Sequence, residues 1–307
     1  MASVSEWING ARPRTLPIAL SPVIAGLGAA YHVHGHAGPG APGPIWWHVV
    51  LAFVVAIALI IGVNYANDYS DGVRGTDDVR TGPARLVGGG AASPGSVRTA
   101  AIIAFLVAAA AGVWLSLATH WWLILVGAAC IAAAWFYTGG KRPYGYSGFG
   151  EIAVFVFFGL VGVLGTQFVL AGKIDAIGVL IAVAVGSFAS AVLVTNNLRD
   201  IATDAAAGKH TLAVRLGDYS TRYLYAFLIT LPFVITVFIA FFHPWALVGL
   251  AFAPLANGVG RNIVGGADGP ALIRALGNTG WIMLGWSVVT ALAFIWALDG
   301  APHTRLF

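Results

Sequence analysis

The stretch Asn64-Tyr-Ala-Asn-Asp-Tyr-Ser-Asp71 places carboxylates at the end of an apolar run long enough to cross a bilayer. A second cluster, Asn196-Asn-Leu-Arg-Asp200-Ile-Ala-Thr-Asp204, closes another apolar run 129 residues later, counted from Asp71 to Asp200. With Asp77 and Asp78 these stretches hold six of the twelve acidic residues. On helices, Asn67 and Asp71, Asp68 and Asp71, and Asp200 and Asp204 fall three or four apart and share a face. Like charges so placed repel, and at a membrane boundary they are costly unless a cation neutralises them. Two such clusters point to Mg2+, a hard ion held by a few carboxylates, with water and phosphate oxygens completing its shell.

The elements that carry these residues are apolar. The chain of 307 residues is 59% hydrophobic and 9% charged, against about 25% charged in a soluble domain. A helix needs about 20 apolar residues to span the hydrocarbon. Nine stretches qualify: 16 to 33, 46 to 66, 99 to 118, 121 to 138, 149 to 171, 176 to 196, 221 to 241, 244 to 260 and 279 to 298. The expected fold is all-α, a polytopic membrane bundle of nine transmembrane helices forming one domain over residues 1–307. Cys130 stands alone, which leaves no disulfide framework and no thiolate metal site.

Lys and Arg collect in cytoplasmic loops. With nine spans and a cytoplasmic N-terminus, fourteen of the sixteen basic residues fall on the inner side and only Lys173 and Arg305 on the other. Both acidic clusters then sit at the cytoplasmic surface of the cell inner (plasma) membrane. The net charge of +4 reflects this topology and anionic lipid headgroups. No basic stripe with interleaved aromatics is present, so no nucleic-acid partner is expected.

Cations and phenols gather near the same end. Arg74, Arg80 and Arg85 surround Asp77 and Asp78 in a glycine-rich connection, and an arginine fork suits phosphate. Tyr137 and Lys141 precede Glu151, which enters the fifth span and is costly in lipid without a partner. Arg199 and Lys209 flank the second cluster. Such a site accommodates Mg2+ and a diphosphate at the mouth of an apolar bundle, and a polyprenyl diphosphate has that mixed character. Neutralising charge on the leaving diphosphate lets the allylic C–O bond ionise, and an apolar cavity keeps water from the cation. A secondary transporter is the alternative of a different class, but it predicts broken helices with Asp deep within a span.

Two signatures carry a family resemblance. The pattern N-D-x-x-D-x-x-x-D is met by Asn67, Asp68 and Asp71, with Gly75 in the last place and Asp77 two residues on; D-x-x-x-D-x-x-x-G is met by Asp200, Asp204 and Gly208. At these residues the chain resembles the UbiA superfamily of intramembrane prenyltransferases over most of its length. Ala11-Arg-Pro-Arg-Thr, Arg80-Thr-Gly-Pro and Gly148-Phe-Gly-Glu151 look like its 1,4-dihydroxy-2-naphthoate polyprenyltransferase branch, of menaquinone synthesis. The resemblance implies that Asn67, Asp68, Asp71, Asp200 and Asp204, with Asp77 in place of a third carboxylate, hold Mg2+. It implies further that Asn64, Arg85, Tyr137, Lys141, Asn196, Arg199 and Lys209 contact the diphosphate or complete the pocket, and that the acceptor loses CO2 to give demethylmenaquinone. Glu151 is a candidate for a polar contact to the acceptor or for a structural hydrogen bond. Another acceptor, 4-hydroxybenzoate or a lipid alcohol, is the nearer alternative.

Overall fold

The computed structural model describes residues 2–35, 45–75 and 85–300, the last four by backbone alone. Among these residues every regular element is helical. A short α1 (Val4–Ala11) leads through a 3-10 turn (Pro13–Thr15) into α2 (Leu16–Gly35), followed by α3 (Trp46–Arg74), α4 (Pro94–Ala118) and α5 (Leu123–Phe136). Then come α6 (Gly150–Ala171), α7 (Ala176–Arg199), α8 (Ile201–Ala206), α9 (Leu212–Ala240), α10 (Pro244–Val264) and α11 (Gly269–Gly300). Eight of these stretches are long and apolar enough to cross a membrane. The expected span at 121 to 138 forms the ninth apolar helix, but α5 has 14 residues, a rise of about 21 Å against a hydrocarbon core of about 30 Å. Turns at its start, where Trp121 and Trp122 lie, replace the missing helix.

Local chemistry sets the helix ends. Ser93 accepts the N–H of Ser96 ahead of Pro94 at the start of α4, and Asp175 accepts the N–H of Gly178 to begin α7. Both caps satisfy donors that a helix leaves unpaired at its N-terminus. At the other end of α3, Gly75 has φ 70 and returns its N–H to the carbonyls of Asp71 and Gly72. A side chain is disfavoured in that left-handed conformation. Gly75 therefore ends the helix where the signature would place its third carboxylate.

The central element is α7, with 78% of its apolar stretch buried, the highest share of any span. It packs against α2, α6, α9 and α11. Its contact with α6 is close, because a Cβ on Gly159 would lie 2.6 Å from the Cα of Gly186. Small residues allow such backbone approach where apolar burial gives no drive between helices in lipid. Within α6 the segment Phe155–Leu164 is wound as a π-helix, a rare geometry often found beside functional sites. The outer surface keeps large exposed apolar residues such as Trp114, Phe227 and Phe241, which suits a lipid-facing wall.

At the end of the bundle away from the acidic clusters, Asp175 ties three helices together. His32 Nδ1 lies 2.6 Å from its Oδ2, and Gln167 Nε2 donates to its Oδ1 at 2.8 Å. This joins α2, α6 and the start of α7.

Candidate active site

Because α3 stays helical beyond its apolar stretch, Asn64, Asn67 and Asp71 come round every three or four residues onto one wall of a cavity of about 580 Å³. The second cluster reaches the same cavity differently. α7 stops at Asp200, α8 carries Asp204 one turn on, and Gly208, at φ 72, turns the chain so that Lys209 faces back. Asp71, Asp200, Asp204 and Lys209 therefore share one chamber, with Asn196, Tyr137 and Arg85 also on its wall. The remainder is mostly apolar, from Leu59 and Val63 of α3, Ile124 and Ile131 of α5, and Phe157, Phe158 and Val161 of the π-wound segment.

The charges inside are paired. Asp71, almost fully buried, has Lys209 Nζ at 3.2 Å from Oδ1 and Arg85 Nη2 at 3.6 Å from Oδ2. Tyr146 donates its hydroxyl to the same Oδ1. Asp200 receives a two-pronged arginine contact, Arg199 Nε to Oδ1 at 2.7 Å and Nη2 to Oδ2 at 2.6 Å. A second Nη2 contact reaches Asn196 Oδ1 at 2.9 Å. Buried carboxylates require such partners. The phenols nearby remain neutral donors at physiological pH: burial pushes Tyr144 up to about 12, and burial followed by the Asp71 charge raises Tyr146.

Four residues expected at the site stand outside the cavity wall. Asp68 is buried and spends both oxygens on backbone, accepting Leu86 N–H at Oδ2 and Val87 N–H at Oδ1, each at 2.9 Å. Lys141 is exposed on the loop after α5. Arg199 backs Asp200 from behind the wall. Glu151 is buried and accepts from Asn197 Nδ2 at 2.9 Å, while its Oε2 has no hydrogen-bond partner. Asn197, not Glu151, lines the cavity. Asp77 lies outside the described residues.

Other wall residues were not among the expected site residues. Arg12 and Thr15 belong to the N-terminal arm, held against α3 by Asn64 Nδ2, which donates to Ala11 O at 2.9 Å and Thr15 Oγ1 at 3.0 Å. Arg12 adopts φ 56, the one non-glycine residue in the left-handed region among those described. Thr138 donates to Asn67 Oδ1 at 2.7 Å, and Arg74 grips the Thr138 and Gly140 carbonyls. These contacts lie in loops, where no period marks an inward face.

Among the described residues no three His, Cys, Asp or Glu side chains are already gathered around one point. The donor set nevertheless fits Mg2+. Asp71, Asp200, Asp204 and the Asn67 carbonyl are hard oxygen donors on one cavity, and Mg2+ needs only one or two carboxylates beside water and phosphate.

The UbiA prenyltransferase family model matches residues 19–288. The chain belongs to that family. It is 54% identical over 296 residues to a 1,4-dihydroxy-2-naphthoate octaprenyltransferase of Mycobacterium tuberculosis, covering 96% of this chain and 99% of that protein. To the Escherichia coli protein of the same name it is 36% identical, covering 91% of each. Among solved structures, a UbiA homologue from Archaeoglobus fulgidus bound to GPP and Mg2+ aligns with TM-score 0.61 at 13% identity, over 95% of this chain and 99% of that one. The apo UbiA homologue from Aeropyrum pernix aligns with TM-score 0.66 at 15% identity, over 91% and 97%. Membership of this family, with eight helices long and apolar enough to cross a membrane among the described residues, makes the chain a multi-pass membrane bundle.

Proposed function

We propose that the chain transfers a polyprenyl group from a polyprenyl diphosphate to 1,4-dihydroxy-2-naphthoate with loss of CO2, yielding the demethylmenaquinone skeleton at the quinol level. What supports this above all is that Asp71, Asp200 and Asp204, from two distant stretches, open into one cavity that is apolar over most of its wall. The relatives from Mycobacterium tuberculosis and Escherichia coli are named for octaprenyl transfer to 1,4-dihydroxy-2-naphthoate.

Mg2+, held by Asp71, Asp200 and Asp204 with Asn67, would neutralise the charge that builds on the departing diphosphate. Lys209 and Arg85 already face this position through Asp71, and they hold diphosphate oxygens as charge-assisted donors. The prenyl chain lies along the apolar wall. Phe157 and Phe158 exclude water there, and aromatic faces favour a passing cation. The allylic C–O bond breaks with its electron pair leaving on the diphosphate. The ring carbon that bears the carboxylate then bonds to the allylic carbon, and the C–CO2 pair returns to the ring as CO2 departs. The acidic end faces the cytoplasm across the plasma membrane, on the strength of the fourteen basic residues that gather on that side.

The test uses purified full-length chain in detergent with Mg2+ and a labelled polyprenyl diphosphate, offered 1,4-dihydroxy-2-naphthoate, 4-hydroxybenzoate or a lipid alcohol in separate reactions. Prenylated product with release of CO2 is expected from the naphthoate alone. Product from another acceptor only, or from none, overturns the assignment.

A further inference from the structure

Tyr146 touches more of the charged groups around the cavity than any function given to it so far requires. Its hydroxyl donates to Asp71 Oδ1. Its ring lies under two cations, Lys209 Nζ 4.6 Å and Arg74 Cζ 5.4 Å from the centroid. Its carbonyl accepts the N–H of His210 at 2.8 Å, which pins the 144–147 turn to the turn that presents Lys209. The side chain lines the same cavity as Asp200 and Asp204.

The geometry points to Tyr146 as a diphosphate-binding residue, whose hydroxyl leaves Asp71 for a diphosphate oxygen when the site loads. This rests on the reading of the site given above. Asp71 has little room for a metal ion while it serves its present donors, because Oδ1 meets both Tyr146 and Lys209 and Oδ2 faces Arg85. A divalent ion on Asp71 repels the two cationic donors, and they follow the anion. The phenol is neutral, so charge does not drive it off. It must share its acceptor with the metal or find another, because a half-buried O–H that leaves an ionised acceptor gives up a strong hydrogen bond. Its ring is clamped by cations and its backbone is pinned at His210, so only an acceptor close to Asp71 is within reach. A diphosphate oxygen drawn to Lys209, which lies over this ring, meets that condition. Such a donor bonds to an ionised group, the stronger class of hydrogen bond.

The exchange predicts opposite signs for two ligands, which a merely structural tyrosine would not give. Tyr146→Phe keeps the ring and both cation contacts but removes the donor. In full-length protein in detergent, Mn2+ alone, followed by electron paramagnetic resonance, binds as tightly as before or several-fold tighter, because a competitor for Asp71 is gone. Inorganic diphosphate in the presence of Mn2+ binds about tenfold more weakly, the loss of one hydrogen bond to a charged partner. The KM for polyprenyl diphosphate rises with it, more than kcat falls. Replacing Tyr146 with p-aminophenylalanine, which restores an N–H donor on the same ring, recovers much of the affinity. Unchanged diphosphate binding in Tyr146→Phe overturns the proposal while leaving the general reading of the site intact. A parallel fall in both affinities, or a large drop in melting temperature, assigns Tyr146 a structural role and overturns it as well. Absence of diphosphate binding in the unaltered protein removes the reading of the site and this inference together.

Discussion

The carboxylate of Asp68 accepts the backbone N–H of Leu86 at 2.9 Å and so fixes the strand of chain that delivers Arg85 to the cavity. Asp71, three residues on, faces the cavity itself. Two aspartates of one signature therefore face different ways, Asp68 toward the Leu86–Val87 backbone and Asp71 toward the cavity. Asp68→Asn cannot accept both amide donors, so one buried N–H loses its partner at a cost of about 1–3 kcal/mol. The expected result is a lowered melting temperature and reduced turnover, with Mn2+ affinity close to that of the unaltered protein. Asp71→Asn shows the reverse, turnover down by at least about 100-fold and Mn2+ binding lost, with the fold retained. Equal loss of Mn2+ affinity in both variants would show that Asp68 also holds the ion.

Arg12 pairs a strained backbone with a place on the cavity wall. Holding a non-glycine residue in the left-handed region costs about 1–2 kcal/mol. Arg12→Gly and Arg12→Ala both remove the guanidinium, but only glycine relieves the backbone. Both are expected to weaken diphosphate binding alike, whereas Arg12→Gly should be about 1 kcal/mol more stable than Arg12→Ala in thermal unfolding. Equal stability of the two variants would mean that the left-handed conformation carries no strain.

Regular helix made much of this legible. The apolar runs announced the bundle, and spacings of three and four brought Asn64, Asn67 and Asp71 onto a single face of α3, while Asp200 and Asp204 reach the same cavity across the break between α7 and α8. What could not be read was the part built by irregular backbone. Asp68 has the same residue type and nearly the same position as Asp71, and only the path of the chain at Leu86 and Val87 separates them. Tyr146 sits in a 3-10 turn where no period marks the inward side. Lys141, next to a glycine pair, is exposed on the loop after α5, an orientation that its charge alone does not reveal. The length of α5 escaped for a related reason: Trp121 and Trp122 are apolar by composition but lie in turns.

The close approach of α6 and α7 is a packing constraint with a measurable cost. A methyl group on Gly159 would come within 2.6 Å of the Gly186 Cα and 2.7 Å of the Ala182 carbonyl, both backbone. Neither can rotate away, so the helices must separate. Gly159→Ala is expected to lower stability by about 1–3 kcal/mol, read as a fall in melting temperature in detergent. Turnover should fall too, because the π-wound segment beside Gly159 forms part of the cavity wall. An unchanged melting temperature would show that the α6–α7 contact yields without penalty.

Asp175 supplies a test at the opposite end of the bundle, remote from the acidic clusters. Burial alone would raise its pKa, but hydrogen bonds from His32, the Gly178 amide and Gln167 bring it down from 3.8 to about 2. A carboxylate depressed on folding adds stability that is complete above its unfolded value and fades as pH falls through its folded value. The contribution is therefore full at neutral pH and down to about pH 4, and it is lost between about pH 4 and pH 2. Asparagine keeps the cap of α7 but removes the charge, so Asp175→Asn isolates this term. At neutral pH the variant should be less stable by about 1 kcal/mol, because water screens a carboxylate that is only half buried. The gap in melting temperature between the two proteins should narrow as pH is lowered below about 4. A gap that stays constant over that range would mean that the ionised carboxylate is not what joins α2, α6 and α7.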